Sequence, residues 1–108
     1  PKGKVERGED LPTAAAREVH EECGVPLPIV GAPFAKTFHV YGRKDDKMKV
    51  TQWYAMAPSP GSENVQLQPQ TEEGITEVRW AMPKEVAKME PDAFGNIARL
   101  MNAWRASQ

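Results

Sequence analysis

Apolar residues recur every fourth position from Leu11 through Ala15 and Val19 to Cys23, and this spacing predicts a helix with one buried stripe. Asp10 stands where an N-cap belongs, Pro12 is tolerated in the first turn, and Gly24 holds the place of a C′ glycine. The next stretch, "VPLPIVGAP", reads as an extended connection. Segments 34–41 and 49–57, rich in β-branched and aromatic residues, predict two strands, with the charged "GRKDDK" of 42–47 as a hairpin loop. A long loop, "PSPGSENVQLQPQ", follows, with a short strand expected at 65–67. "ITEVRWA" (75–81) predicts another strand. A short helix is expected at 83–89 and a second at 91–106, where Phe94, Ile97, Leu100, Met101 and Trp104 share an apolar face.

The first helix carries an unusual load. Glu18, Glu21 and Glu22 line the flank next to the stripe, Glu22 nearly overlaps it, and Arg17 and His20 lie further round. Like charges at this spacing repel by a few tenths of a kcal/mol per exposed pair, and by more where they are partly buried. A solvated acidic face is one explanation. A site for hard divalent cations, which prefer carboxylate oxygens, is the other.

Composition narrows the classes. The 108 residues amount to one domain, 40% hydrophobic and 27% charged, with a net charge of −1. That balance argues against a strongly basic nucleic-acid binder. Apolar runs fall far short of the roughly 20 residues that cross a bilayer, so no membrane partner is expected. Cys23 is the single cysteine, which excludes an internal disulfide and fits a reducing cytoplasm. There is no internal repeat.

The spacing around the helix is more specific than its charge. Gly3, five residues, Glu9, seven residues, Arg17-Glu18-Val19, one residue, Glu21-Glu22, one residue, Gly24-Val25. This pattern resembles the Nudix box, G-x5-E-x7-R-E-U-x-E-E-x-G-U with U aliphatic, at every fixed position. By average residue usage such a match arises by chance rarer than about once in ten million chains of this length. The resemblance covers residues 3–25; "ITEVRW" followed by a short helix extends it more loosely.

The resemblance implies a loop–helix–loop that holds magnesium or manganese against a diphosphate. It assigns Glu18, Glu21 and Glu22 as metal ligands, joined by the main-chain carbonyl of Lys2, and pairs Arg17 with Glu9 to orient the helix. It implies a metal-dependent hydrolase of phosphoanhydride bonds, in which the ions offset substrate charge and activate a water. Gly3, Gly8 and Gly24 are glycines of the box, each expected to take positive φ and let backbone approach closely. Lys4 is a candidate for meeting phosphate as a point charge. A further glutamate, Glu73 ahead of Glu72, is the candidate base or ligand before Trp80. Glu77 is expected on a strand surface and His20 in solvent, with His39 structural and the three tryptophans mostly packed.

Tyr41 stands where diadenosine polyphosphate hydrolases of this family carry a tyrosine, and Arg43, Lys44, Lys47 and Lys49 near it suit a long polyphosphate. The expected substrate is a nucleoside diphosphate linked to another moiety, with dinucleoside polyphosphates as one candidate. A MutT-like pyrophosphatase of modified nucleoside triphosphates, a diphosphoinositol-polyphosphate hydrolase and a non-catalytic nucleotide-binding module stay open. The expected fold is α+β, the Nudix α/β/α sandwich with a mixed sheet. Because family members place strands before the box, the chain is expected to be one Nudix domain truncated at its N-terminus, with a homodimer open.

Overall fold

The computed structural model describes residues 1–44, 46–92 and 95–107; Phe94, expected on the last apolar face, lies outside them. In chain order the elements are helix α1 (Leu11–Cys23), strands β1 (Ile29–Tyr41) and β2 (Lys47–Ala57), helix α2 (Pro83–Met89) and helix α3 (Gly95–Ala106). Short 3₁₀ turns stand at Ser62–Asn64, Thr71–Glu73 and Glu90–Asp92. β1 and β2 pair with each other, and the short connection between them makes the pair antiparallel. The chain is therefore α+β, and the expected sheet is represented among the described residues by this hairpin.

Local signals placed α1 correctly. Asp10 Oδ1 accepts from the Thr13 N–H at 2.8 Å, and Gly24, at φ +73°, donates to the His20 carbonyl at 2.9 Å. The buried side of α1 departs from the predicted stripe. Ala14 and Ala16 are buried, Ala15, Val19 and Cys23 half-buried, and Leu11 is 47% exposed.

Both strands begin earlier than expected, and β1 takes in Ile29 to Pro33. Pro33 lacks an N–H, which this sheet tolerates because each of its two strands has one edge unpaired among the described residues. Segments 65–67 and 75–81 are not strands. β-rich composition marks a segment suited to a pleated surface, but a strand exists only where a neighbouring edge completes its ladder, and no edge is paired with either segment among the described residues. The last helix starts at Gly95 rather than at 91, because Pro91 sits in a 3₁₀ turn before it.

The chain divides into two compact units, each described by itself. One comprises Pro1–Gly31 and Met56–Trp80 and includes the buried Ala14, Ala16, Val25 and Ser62. The other comprises Ala32–Ala55 and Ala81–Gln108. Within it Leu100 of α3 is buried, Ile97, Met101 and Trp104 are half-buried, and Arg105 grips both carboxylate oxygens of Glu90. The half-buried Trp53 donates Nε1–H to Thr37 Oγ1 at 2.8 Å. Trp80, expected to pack, is 51% exposed.

Candidate functional site

The residues of the box all fall in the first unit, and Arg17 is their hub. A turn at Gly8, at φ +80°, reverses the chain so that Glu9 N–H meets the Glu6 carbonyl and Glu6 N–H meets Glu9 Oε1. Glu9 is thereby aimed at α1. Arg17 Nε lies 2.8 Å from Glu9 Oε2, and Nη2 lies 3.1 Å from Glu9 Oε1 and 2.9 Å from the Lys4 carbonyl. Its remaining nitrogen, Nη1, reaches Glu18 Oε1 at 2.9 Å and Glu21 Oε2 at 3.1 Å, with Glu6 Oε1 at 3.6 Å. The planar fork of arginine allows this sharing; an ammonium could not reproduce it. The Arg17 hydrogen bond, helped by the Glu6 N–H, holds the Glu9 carboxyl below its usual range. Glu9 in turn leads the carboxylates that keep Arg17 charged.

The three box glutamates occupy different surroundings. The Glu18 carboxyl lies against Gly3 so closely that a β-carbon there would overlap it. Gly8 and Gly24 take positive φ as expected, but Gly3 does not, so its smallness answers to Glu18 rather than to a turn. Glu21 is exposed beyond its contact with Arg17. Glu22 is half-buried, and its Oε2 is buried with no hydrogen-bond partner.

Four carboxylates thus surround the Arg17 guanidinium, while Glu22 Oε2 has no hydrogen-bond partner among the described residues. Among the described residues no three His, Cys, Asp or Glu side chains converge as a ready-made ion cage, because Glu18 and Glu21 turn toward Arg17. The donor set still fits a hard divalent cation. It is all oxygen, one of its oxygens is orphaned, and magnesium needs few protein ligands because it keeps its waters.

Lys2 is exposed, its carbonyl next to the Gly3 that cradles Glu18. Lys4 is also exposed, with its own carbonyl taken by Arg17. Glu72 and Glu73 stand exposed in the Thr71–Glu73 turn, which ends at Gly74 with φ +81°. Glu77 is 74% exposed, 3.5 Å from Arg79. His20, expected to be merely solvated, has Nδ1 2.8 Å from the Val25 carbonyl and so braces the end of α1. Burial pushes the Cys23 thiol up and keeps it protonated.

Two contacts here had no side-chain signal in the sequence. Gln68 N–H donates to the Cys23 carbonyl at 2.9 Å, and Gln70 N–H donates to the Glu22 carbonyl at 3.2 Å. Segment 68–70 therefore satisfies two end carbonyls of α1 that the helix leaves without partners. The one readable hint was Gly24, where a β-carbon would come within 2.8 Å of Gln68 N.

Tyr41 and Arg43 belong to the second unit. The exposed Tyr41 ring stacks on His39, with centroids 6.3 Å apart and planes 6° from parallel, and Lys49 Nζ lies 5.9 Å from its centroid. Arg43 is exposed in the turn that follows.

A family model described as NUDIX domain matches residues 1–102. No curated protein and no solved structure matches the chain significantly. Among the described residues no helix is long and apolar enough to cross a membrane.

Proposed function

The chain belongs to the Nudix family, and from that premise we propose that it is a divalent-metal-dependent pyrophosphohydrolase acting on a nucleoside diphosphate linked to another moiety. The observation that carries this reading is the buried, unpartnered Oε2 of Glu22 on the helix whose Glu18 and Glu21 are already gathered by Arg17. A buried carboxylate oxygen without a partner is costly, and a cation that meets it removes the cost.

Glu18, Glu21 and Glu22, with the Lys2 carbonyl, would hold magnesium or manganese. When bound, the ion supplies neutralisation of the diphosphate and a water acidic enough to attack phosphorus. Arg17 and Glu9 hold α1 and its carboxylates in register with the loop before it. Glu73 takes the proton of the attacking water, and Lys4 meets a phosphate oxygen. Tyr41, with Lys49 over its ring and Arg43 in the adjoining turn, supports dinucleoside polyphosphates as the substrate, since an exposed ring beside cations suits a base and a polyphosphate. A reducing cytoplasm suits the lone Cys23.

A panel of nucleoside diphosphate derivatives, modified nucleoside triphosphates and diphosphoinositol polyphosphates, incubated with magnesium, tests the reading. Release of phosphate or nucleotide is expected from at least one. Nucleotide binding without turnover across the panel would replace the hydrolase with a binding module.

A further inference from the structure

The main chain of Gln70 faces two ways. Its N–H donates to the carbonyl of Glu22, and its own carbonyl accepts from Glu73 N–H at 3.0 Å and Ile75 N–H at 3.4 Å. One residue thus links the end of the acidic helix to the turn that carries Glu72 and Glu73. Two residues earlier, Gln68 N–H binds the Cys23 carbonyl, so the link has two points and cannot pivot freely. The point at Gln68 depends on Gly24, whose missing side chain leaves room for the backbone there.

We propose that Gln70 is a positioning residue, whose backbone sets the register of Glu73 against Glu22. This inference rests on the hydrolase reading. Two carboxylates 51 positions apart in the chain serve one reaction only if something fixes their separation, and small misplacement of a reacting group is enough to cost about 10²-fold in rate. The Gln70 side chain takes no part. The work is done by the peptide group, so residue identity matters only where it alters the N–H.

That makes the test selective. Gln70 has φ −79°, which proline accepts, so Gln70→Pro deletes the N–H at little cost to the local backbone conformation. Gln70→Ala keeps the N–H and serves as the control. On the best substrate of the panel, Gln70→Ala should match wild type. Gln70→Pro should lower kcat by about 10- to 100-fold with KM little changed. Adding Glu73→Gln to Gln70→Pro should cost less than Glu73→Gln alone, because the displaced carboxylate no longer acts. Equal kcat for a folded Gln70→Pro and Gln70→Ala, or fully additive losses with Glu73→Gln, overturns the proposal while leaving a working hydrolase. Should Gln70→Pro fail to fold, amide exchange in wild type decides: the Gln68 and Gln70 N–H groups should exchange as slowly as Gly24 N–H, and exchange at unprotected-loop rates overturns the link. Absence of wild-type turnover on the whole panel instead removes the hydrolase reading, and the positioning role with it.

Discussion

Arg17 reaches back eight residues to hold both carboxylate oxygens of Glu9, at 2.8 and 3.1 Å, while its third nitrogen holds one oxygen each of Glu18 and Glu21. A single guanidinium therefore joins the loop before α1 to two of the candidate metal ligands on it. Lysine keeps the charge and loses the fork. Arg17→Lys should weaken metal binding by about 10- to 100-fold, the usual effect of losing a group that orients ligands. A magnesium titration followed by melting temperature checks this; an unchanged midpoint would detach Arg17 from the metal.

The same pair sets an acid limit. The Arg17 hydrogen bond holds the Glu9 carboxyl below its ordinary 4.5, so the folded state gives up that proton more readily than the unfolded chain. The resulting stability is complete above pH 4.5 and is lost as pH falls through the depressed value. Melting temperature should drop on acidification in that range, and drop less steeply in Glu9→Gln. Asp10, held low by Thr13, and Glu90, held low by Arg105, act in the same direction and leave the variant a residual slope.

Glu22→Gln removes a charge from the one box carboxylate with an orphaned oxygen. Turnover should fall by roughly 10²-fold or more, as when a group acting on developing charge is lost. The metal-free variant should melt no lower than wild type, since no partner is stranded. Glu77→Gln, at an exposed site, should be silent in both assays. Equal activity of Glu22→Gln and wild type in saturating magnesium would remove Glu22 from the site.

Metal binding to the native state should stabilise the fold by about 2.7 kcal/mol at a hundredfold excess over Kd. The rise in melting temperature with magnesium or manganese should shrink in a Glu18→Gln, Glu21→Gln double variant. Identical responses in the two proteins would leave those glutamates as partners of Arg17 alone.

Tyr41→Ala tests the substrate. If the exposed ring stacks on a base, its loss should cost dinucleoside polyphosphates about 1–3 kcal/mol in kcat/KM and spare simple triphosphates. Reversing the charges of Arg43 and Lys49 should penalise long polyphosphates most, and added salt should narrow the difference. An unchanged preference in both variants would set the dinucleotide assignment aside and leave the choice to the other nucleotides of the panel.

The sequence by itself determined what depends on near neighbours in the chain. Asp10 and Gly24 bracket α1 because capping is decided within one turn, and α2 and the hairpin follow from equally local patterns. The box spacing identified the family for the same reason, since its residues lie within 23 positions of one another. Tertiary structure decided what depends on distant backbone. Gly3 is small because Glu18 folds onto it, Ala14 is buried while Leu11 of the predicted stripe is exposed, and 75–81 is no strand because no edge is paired with it among the described residues. Apart from Gly24, the link through Gln68 and Gln70 was silent for the plainest reason: every residue except proline carries the same N–H, so a bond between peptide groups leaves no mark on the side chains that make it.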